Sequence, residues 1–196
     1  MLLELDPVPM LLRRVRAELA DAFRADRPIR VSRAPGRLDV MGGIAEYTGS
    51  VVCSTTLDRA AAVAIQERDD RELQVFSFNL LDEHQPFTLR IPLDALARNS
   101  AETLRKEFAE PGRAWAAHLA GCLYLLHERG LVDLLAPTMP GLNIALYSNV
   151  PVGLGMGSSA AIEVATMMNL VEHAAVRHRM NPLVLAEMCQ IGRAHV

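Results

Sequence analysis

The chain lacks an excess of basic residues, a cysteine framework and any apolar run long enough to span a membrane. Its net charge of −3 and the absence of a basic cluster exclude the usual footprint of a nucleic-acid-binding protein. Three scattered cysteines, an odd number, fit a reducing compartment. The N-terminus carries acidic residues early and no apolar segment before a cleavage site. We therefore expect a mature cytoplasmic chain without nucleic-acid or membrane partners.

The composition is that of a globular protein, with 51% hydrophobic and 22% charged residues. Apolar residues at helical spacing predict helices over residues 9–23, 113–129, 157–177 and 181–190, the last with Asn181 as N-cap. The sequence thus predicts an α+β fold, with an antiparallel sheet of about five or six strands packed against helices. The predicted strand segments lie within residues 29–43, 50–68, 72–79, 86–93 and 141–149.

A glycine-rich stretch, PVGLGMGSSAA, separates the last predicted strand from a predicted helix. Its three glycines allow backbone N–H groups to turn toward a bound anion, and the helix that begins near Ser158 adds the positive end of its dipole. Ser158 and Ser159 can cap the helix, contact phosphate or ligate Mg²⁺. No lysine follows as in a Walker loop, and the spacing is not the dinucleotide fingerprint. The alternative is that small residues only allow close helix packing.

A second stretch, RAPGRLDVMGGIAEYTGS, places charged and hydroxyl side chains among turn residues. Arg37 is a cation, Asp39 and Glu46 are acids, and Tyr47 carries an aromatic hydroxyl. Carboxylates accept hydrogen bonds from sugar hydroxyls, and an arginine beside a transferring phosphoryl group offsets its negative charge. The alternative is a surface turn with ordinary salt bridges.

The glycine-rich stretch resembles the second motif of the GHMP small-molecule kinases, with Met156 where leucine is more usual. In that superfamily the loop wraps the phosphates of ATP. The resemblance implies an α+β GHMP-kinase N-terminal domain of two layers, with a mixed and mostly antiparallel sheet, and ATP and Mg²⁺ as cofactors. Ser158 and Ser159 are the candidate metal ligands within this sequence. The cofactor-binding residues that it implies are Pro151, Gly153, Gly155, Met156, Gly157, Ser158, Ser159 and Ala160.

The second stretch is similar to the substrate signature of the galactokinase branch, P-G-R-V-N-L-I-G-E-H-T-D-Y-N-G-G. This resemblance implies that Arg37 is catalytic, activating the sugar hydroxyl and steadying the transition state. The substrate-binding positions that it implies are Asp39, Gly43, Glu46 and Tyr47. Asp39 stands where the branch often has asparagine, so a turn-capping role is the alternative there.

The sugar preference is predicted from a departure at residues 43 and 44. The Glu-His pair that reaches the C6 hydroxyl of galactose is here Gly43-Ile44, and an unpaired buried hydroxyl costs about 1–3 kcal/mol. L-arabinose in its pyranose form lacks the C6 group. The stretch is also similar to the arabinokinase form of the signature, from which it differs at Glu46 and Thr48. We expect an arabinokinase-like sugar kinase.

The chain is predicted to contain three segments: an N-terminal helical extension over residues 1–28, the kinase N-terminal domain over 29–190, and a non-native tail over 191–196. The residues QIGRAHV can be back-translated to codons that read like a common sequencing-library adapter, and the alternative is a natural short terminus. The family's G-x-M-D-Q stretch, with its proposed base, and its C-terminal domain have no counterpart in the sequence. We therefore expect a truncated sugar 1-kinase, inactive by itself. The alternatives are a galactokinase proper or a non-catalytic sugar- and ATP-binding sensor.

Overall fold

The computed structural model describes residues 5–43 and 48–195, with side chains described up to residue 189. Within these ranges the chain forms one mixed sheet and a set of helices. The strands are β1 (Arg30–Met41), β2 (Cys53–Glu67), β3 (Glu72–Ser77), β4 (Thr88–Pro92) and β5 (Leu142–Ser148). The helices are α1 (Pro7–Glu18), α2 (Phe78–Asp82), α3 (Leu93–Arg98), α4 (Ala101–Phe108), α5 (Ala114–Glu128), α6 (Ser158–His173) and α7 (Pro182–His195).

The five strands lie in the order β1-β2-β5-β3-β4. All neighbouring strands are antiparallel except β3 and β5, which are parallel. Strand β2, which lies between the edge strand β1 and the central strand β5, is buried along residues 60–66, because both faces of the sheet are covered there. The predicted α+β fold with a mixed, mostly antiparallel sheet is thereby confirmed.

Helices pack on both faces of this sheet. On one face α5, α6 and α7 build the larger core with the side chains of Val63 and Ile65. On the other face α1 inserts Leu11 and Val15 against Ala62 and Ala64. The segment expected as an N-terminal extension therefore adds a third layer to the predicted two. In the described residues no helix combines the length and the apolar character needed to cross a bilayer.

Two elements differ from the sequence prediction near the motifs. The Pro35-Gly36 pair is typical of a break in a strand, but the segment around it is one continuous strand. The long partner β2 keeps β1 paired through register shifts at Pro35/Arg37 and Asp39/Met41. Helix α6 ends at His173 instead of near residue 177. The chain reverses there through Ala175 at φ 55°, which lets Val176 return to the core.

The short helices α2, α3 and α4 were not predicted from the sequence. They span five, six and eight residues, too few to show a helical period. Serine caps could have predicted the starts of α2 and α4. The Ser77 and Ser100 hydroxyls accept from the backbone N–H groups of Leu80 and Thr103. The predicted cap of α7 is confirmed, because Asn181 Oδ1 accepts from the Val184 N–H at 2.9 Å.

Candidate phosphate and sugar site

The base of the glycine loop, residues 149–157 between β5 and α6, is tied to two distant parts of the chain. The Asn149 side chain accepts from the Ala60 N–H at 2.8 Å and donates to the Leu5 carbonyl at 2.7 Å. The Val150 N–H donates to Ser148 Oγ at 3.2 Å. The loop therefore starts from a fixed point at the end of a buried strand, and the sequence analysis did not identify Asn149 as its anchor.

The loop itself takes a backbone path that requires glycine. Gly153, Gly155 and Gly157 have φ values of 77°, 71° and 67°, in the left-handed region that strains other residues. A Cβ atom at residue 153 or 155 would meet no atom of the described residues within 4 Å. The open space over the loop is therefore accessible to a ligand.

The N-terminal end of α6 opens onto the same space. Its N-cap is Gly157, not either serine, and no side chain among the described residues caps this end. The Ala161 N–H makes the first helical bond, to the Gly157 carbonyl, so the N–H groups of the first turn of α6 precede the helical hydrogen-bond series. Together with the helix dipole they form an end suited to an anion. The structure thus removes the capping alternative for the serines.

The two motifs meet through the backbone. The Arg37 N–H donates to the Met156 carbonyl at 2.9 Å, which joins β1 directly to the glycine loop. Gly36 has no space for a side chain, because a Cβ atom there would lie 2.8 Å from Cγ1 of Val150 and 2.9 Å from the Met156 oxygen. The bulge in β1 therefore holds Arg37 beside the start of α6.

On the sugar side the structure brings three of the predicted residues together. Arg37 Nη2 lies 3.3 Å from Asp39 Oδ2, in a pair that is partly exposed to solvent. A Cβ atom at residue 43 would lie 2.7 Å from the same oxygen of Asp39. Glu46 and Tyr47 lie outside the described residues.

A buried acid in α6 was not identified as a site residue from the sequence. Glu163, one turn into α6, contacts His118 Nδ1 at 2.7 Å with only 4% of its side chain exposed. The sequence feature that could have identified Glu163 is an acidic residue between apolar neighbours in α6. His118 supplies its partner from α5.

Two thiols lie on the same inner side of α6. The Cys122 thiol donates to the His118 carbonyl at 3.2 Å, and burial, with contributions from Cys189 and Glu163, raises its pKa well above the usual value. Burial, reinforced by Glu163, also raises the pKa of Cys189 to about 12. Both thiols are protonated at neutral pH and are unsuited to act as nucleophiles.

A cleft of about 910 Å³ lies at the opposite end of α6, between His173 and the start of β1. Its arginines largely pair with acids of their own neighbourhood, as Arg68 does with Asp70 and Arg27 with Asp69. The glycine loop does not line it. We assign the candidate site to the loop, where the N-terminal end of α6 and Arg37 converge.

These features define a class: an α+β domain in which a strand, a glycine loop and a helix end suited to an anion lie beside an arginine from the neighbouring sheet edge. Comparisons narrow the class. Residues 117–196 match the family profile of the GHMP kinases N terminal domain, and residues 17–67 match the galactokinase galactose-binding signature. The chain belongs to the GHMP kinases, in the galactokinase branch.

Relatives of known name agree with this assignment. The chain is 32% identical to L-arabinokinase of Arabidopsis thaliana over 93% of its own length and 20% of the relative's. It is 35% identical to galactokinase of Chloroflexus aggregans over 70% of its own length and 30% of the relative's. The chain spans between 20% and 38% of the length of such curated relatives.

Solved structures agree on the fold. Lactococcus lactis galactokinase complexed with galactose superimposes with a TM-score of 0.70 at 17% identity, over 93% of this chain and 42% of that one. Methanococcus jannaschii mevalonate kinase gives a TM-score of 0.67 at 16% identity, over 88% and 48%. The expected GHMP-kinase N-terminal fold is confirmed.

Proposed function

We propose that the protein carrying this chain transfers the γ-phosphoryl group of ATP to the anomeric hydroxyl of a galactose-like sugar, with L-arabinose as the preferred substrate. One observation carries the proposal: the Arg37 N–H donates to the Met156 carbonyl. This bond places the signature arginine at the edge of the loop that would hold the phosphates. Phosphoryl transfer depends on such positioning and on charge neutralisation more than on covalent chemistry.

The loop and the start of α6 supply the phosphate contacts. The backbone N–H groups of residues 153–160 would hold the phosphate oxygens. Mg²⁺ takes oxygen ligands and keeps several from phosphate and water. The hydroxyls of Ser158 and Ser159 fit that donor set, and the ion would neutralise phosphate charge there.

The sugar would lie between Arg37 and the turn that follows β1. Glu46 and Tyr47 would accept from or donate to its ring hydroxyls, and Arg37 would stabilise the charge that develops on the transferred group. Gly43 supplies no side chain for a hydroxyl at C6. The identities to an L-arabinokinase and to galactokinases support this sugar class.

We also propose that the reaction takes place in the cytoplasm and that the 196-residue chain alone gives no turnover. The chain spans less than half of each relative, so the remaining wall of the cleft would come from further sequence. Water exclusion and positioning would be lost without it.

The test is to read the source gene beyond codon 190, express its full product and assay ATP-dependent phosphorylation of three sugars. L-arabinose lacks C6, D-galactose carries CH₂OH there, and D-fucose carries only a methyl group. If the unpaired hydroxyl causes the discrimination, D-fucose is accepted nearly as well as L-arabinose and D-galactose is poor. Rejection of both hexoses points to lack of space instead.

Two other outcomes change the proposal. A preference for D-galactose overturns the argument from Gly43 and makes the protein a galactokinase. Binding of ATP and sugar by the full product without any turnover favours the sensor function. Neither binding nor turnover with any of the three sugars contradicts the sugar-kinase proposal.

A further inference from the structure

The Asp39 carboxylate lies between the guanidinium of Arg37 and the backbone of Gly43. Its Oδ2 atom lies 3.3 Å from Nη2 of Arg37. The same atom lies 2.7 Å from the position that a Cβ atom of residue 43 would occupy. One oxygen therefore fills the space beside Gly43 and holds the guanidinium of Arg37.

A side chain at residue 43 requires the Asp39 carboxylate to move from its present position. Non-bonded carbon and oxygen atoms do not approach to 2.7 Å without one of them moving. The Asp39 backbone lies in the β1–β2 ladder, so the carboxylate itself would have to turn away. Turning it away would break its contact with Arg37.

We propose that Asp39 is a positioning residue for Arg37, and that residue 43 is glycine because a side chain there would displace the Asp39 carboxylate. The proposal rests on the proposed function, since it concerns the arginine at the phosphoryl group. It assigns Gly43 a second role beside the missing contact to C6. Glycine at this position keeps the arginine aligned.

The aspartate acts on catalysis through Arg37 alone in this arrangement. A guanidinium with one side held by a carboxylate keeps its remaining N–H groups directed at one place. Loss of the carboxylate lets the exposed side chain sample other rotamers, so the rate of the chemical step falls while sugar affinity changes little.

The test is a double-mutant cycle in the longest form of the protein that carries this chain. The variants are Gly43→Ala, Asp39→Ala and the double variant, with Asp39→Asn as the conservative replacement. Gly43→Ala is expected to lower kcat about 10-fold with KM for the sugar within about 2-fold. Asp39→Ala is expected to do the same, and the double variant to be no worse than either single one. Asp39→Asn is expected to be intermediate, because it keeps one oxygen but loses the charge.

A crystal structure of Gly43→Ala supplies a readout independent of turnover. We expect its Asp39 carboxylate to have turned away from Arg37. If the Arg37–Asp39 contact is unchanged, the proposal is wrong, whether or not the protein phosphorylates a sugar.

The kinetics distinguish positioning of Arg37 from direct contact with the sugar. If Gly43→Ala has its full effect in the Asp39→Ala background, the methyl group acts on the sugar directly and the proposal is overturned. A raised KM at constant kcat in Asp39→Ala shows a direct sugar contact instead of positioning, and also overturns it. Absence of turnover in the unchanged protein counts against the proposed function, and the crystal structure then decides this inference.

Discussion

Arg37 combines a fixed backbone with a side chain that is half exposed to solvent. Its N–H is held by Met156, and a Cβ atom at residue 157 would lie 3.7 Å from the Arg37 backbone nitrogen. The guanidinium, by contrast, contacts Asp39 while 53% of the side chain is exposed. The charge therefore contributes little to stability and remains available to a ligand.

We predict that Arg37→Ala lowers kcat of the full-length protein about 10²–10³-fold. Because the side chain is half exposed, the free energy of unfolding should change by less than about 0.5 kcal/mol. Steady-state phosphorylation kinetics and urea unfolding measure the two quantities. Arg33→Ala is the matched control, since Arg33 lies on the same strand and contacts Asp6 instead. An equal loss of kcat in both variants would contradict the role given to Arg37.

The glycine loop shows how an element of the backbone can form a site with few side chains. Its shape depends on left-handed glycines, and its base depends on Asn149 and on the contact with β1. The exposed apolar side chains Val152 and Leu154 project from it. An added methyl group on the loop would therefore enter the ligand's space and not the core.

We predict that Gly155→Ala weakens ATP binding about 10-fold or more, measured by calorimetry on the full-length protein. Gly130→Ala is the matched control: its φ of 63° resembles the 71° of Gly155, and neither Cβ position meets an atom within 4 Å among the described residues. Both variants should lose a similar stability, about 1 kcal/mol, from backbone strain. Equal ATP affinity in the two variants would show that the loop does not hold the phosphates.

The end of α6 opposite the loop carries a pH-sensitive histidine. Burial lowers the pKa of His173 from 6.5, the nearby Glu67 carboxylate opposes this shift, and Arg30 adds to it. His173 Nε2 lies 3.5 Å from Glu67 Oε1. Because the pKa is lower in the folded chain, the unfolded chain binds more protons between the folded pKa and 6.5.

We predict that stability is retained above pH 6.5 and falls as the pH is lowered from there through the folded pKa of His173. His173→Gln should flatten this part of the stability profile. Urea unfolding of both forms between about pH 5 and about pH 8 provides the measurement. Parallel profiles for the two forms would assign the pH dependence to other groups.

At the scale of the whole molecule, apolar side chains are exposed where the two motifs meet. The chain spans only part of each relative, and such surface is suited to contact further sequence. In the isolated chain it would favour self-association. The side chains are Leu38, Val40, Met41, Val51, Val152 and Leu154.

We predict that Leu154→Ser reduces concentration-dependent association of the 196-residue chain in sedimentation velocity experiments. Leu183→Ser is the matched control, because Leu183 is equally exposed, at 68%, but lies on α7 away from the loop. The control should leave the association unchanged. A larger effect of Leu183→Ser would place the associating surface on α7.

The amino-acid sequence by itself determined the long elements and both motifs. Hydrophobic periodicity predicted α1, α5, α6 and the strands, and the glycines before Ser158 predicted a phosphate loop, because these signals act over a few residues along the chain. The same local character explains why α2 to α4 were missed.

Only the tertiary structure decided how the parts of the site meet. The Arg37 N–H on β1 donates to the carbonyl of Met156, which is more than a hundred residues away in sequence. Glu163 on α6 contacts His118 on α5. Gly43 was predicted as an absent sugar contact, whereas the fold places it against the Asp39 carboxylate. The physical reason is that such contacts depend on strand register, on the β1 bulge and on helix packing, which are set by the whole core and not by neighbouring residues.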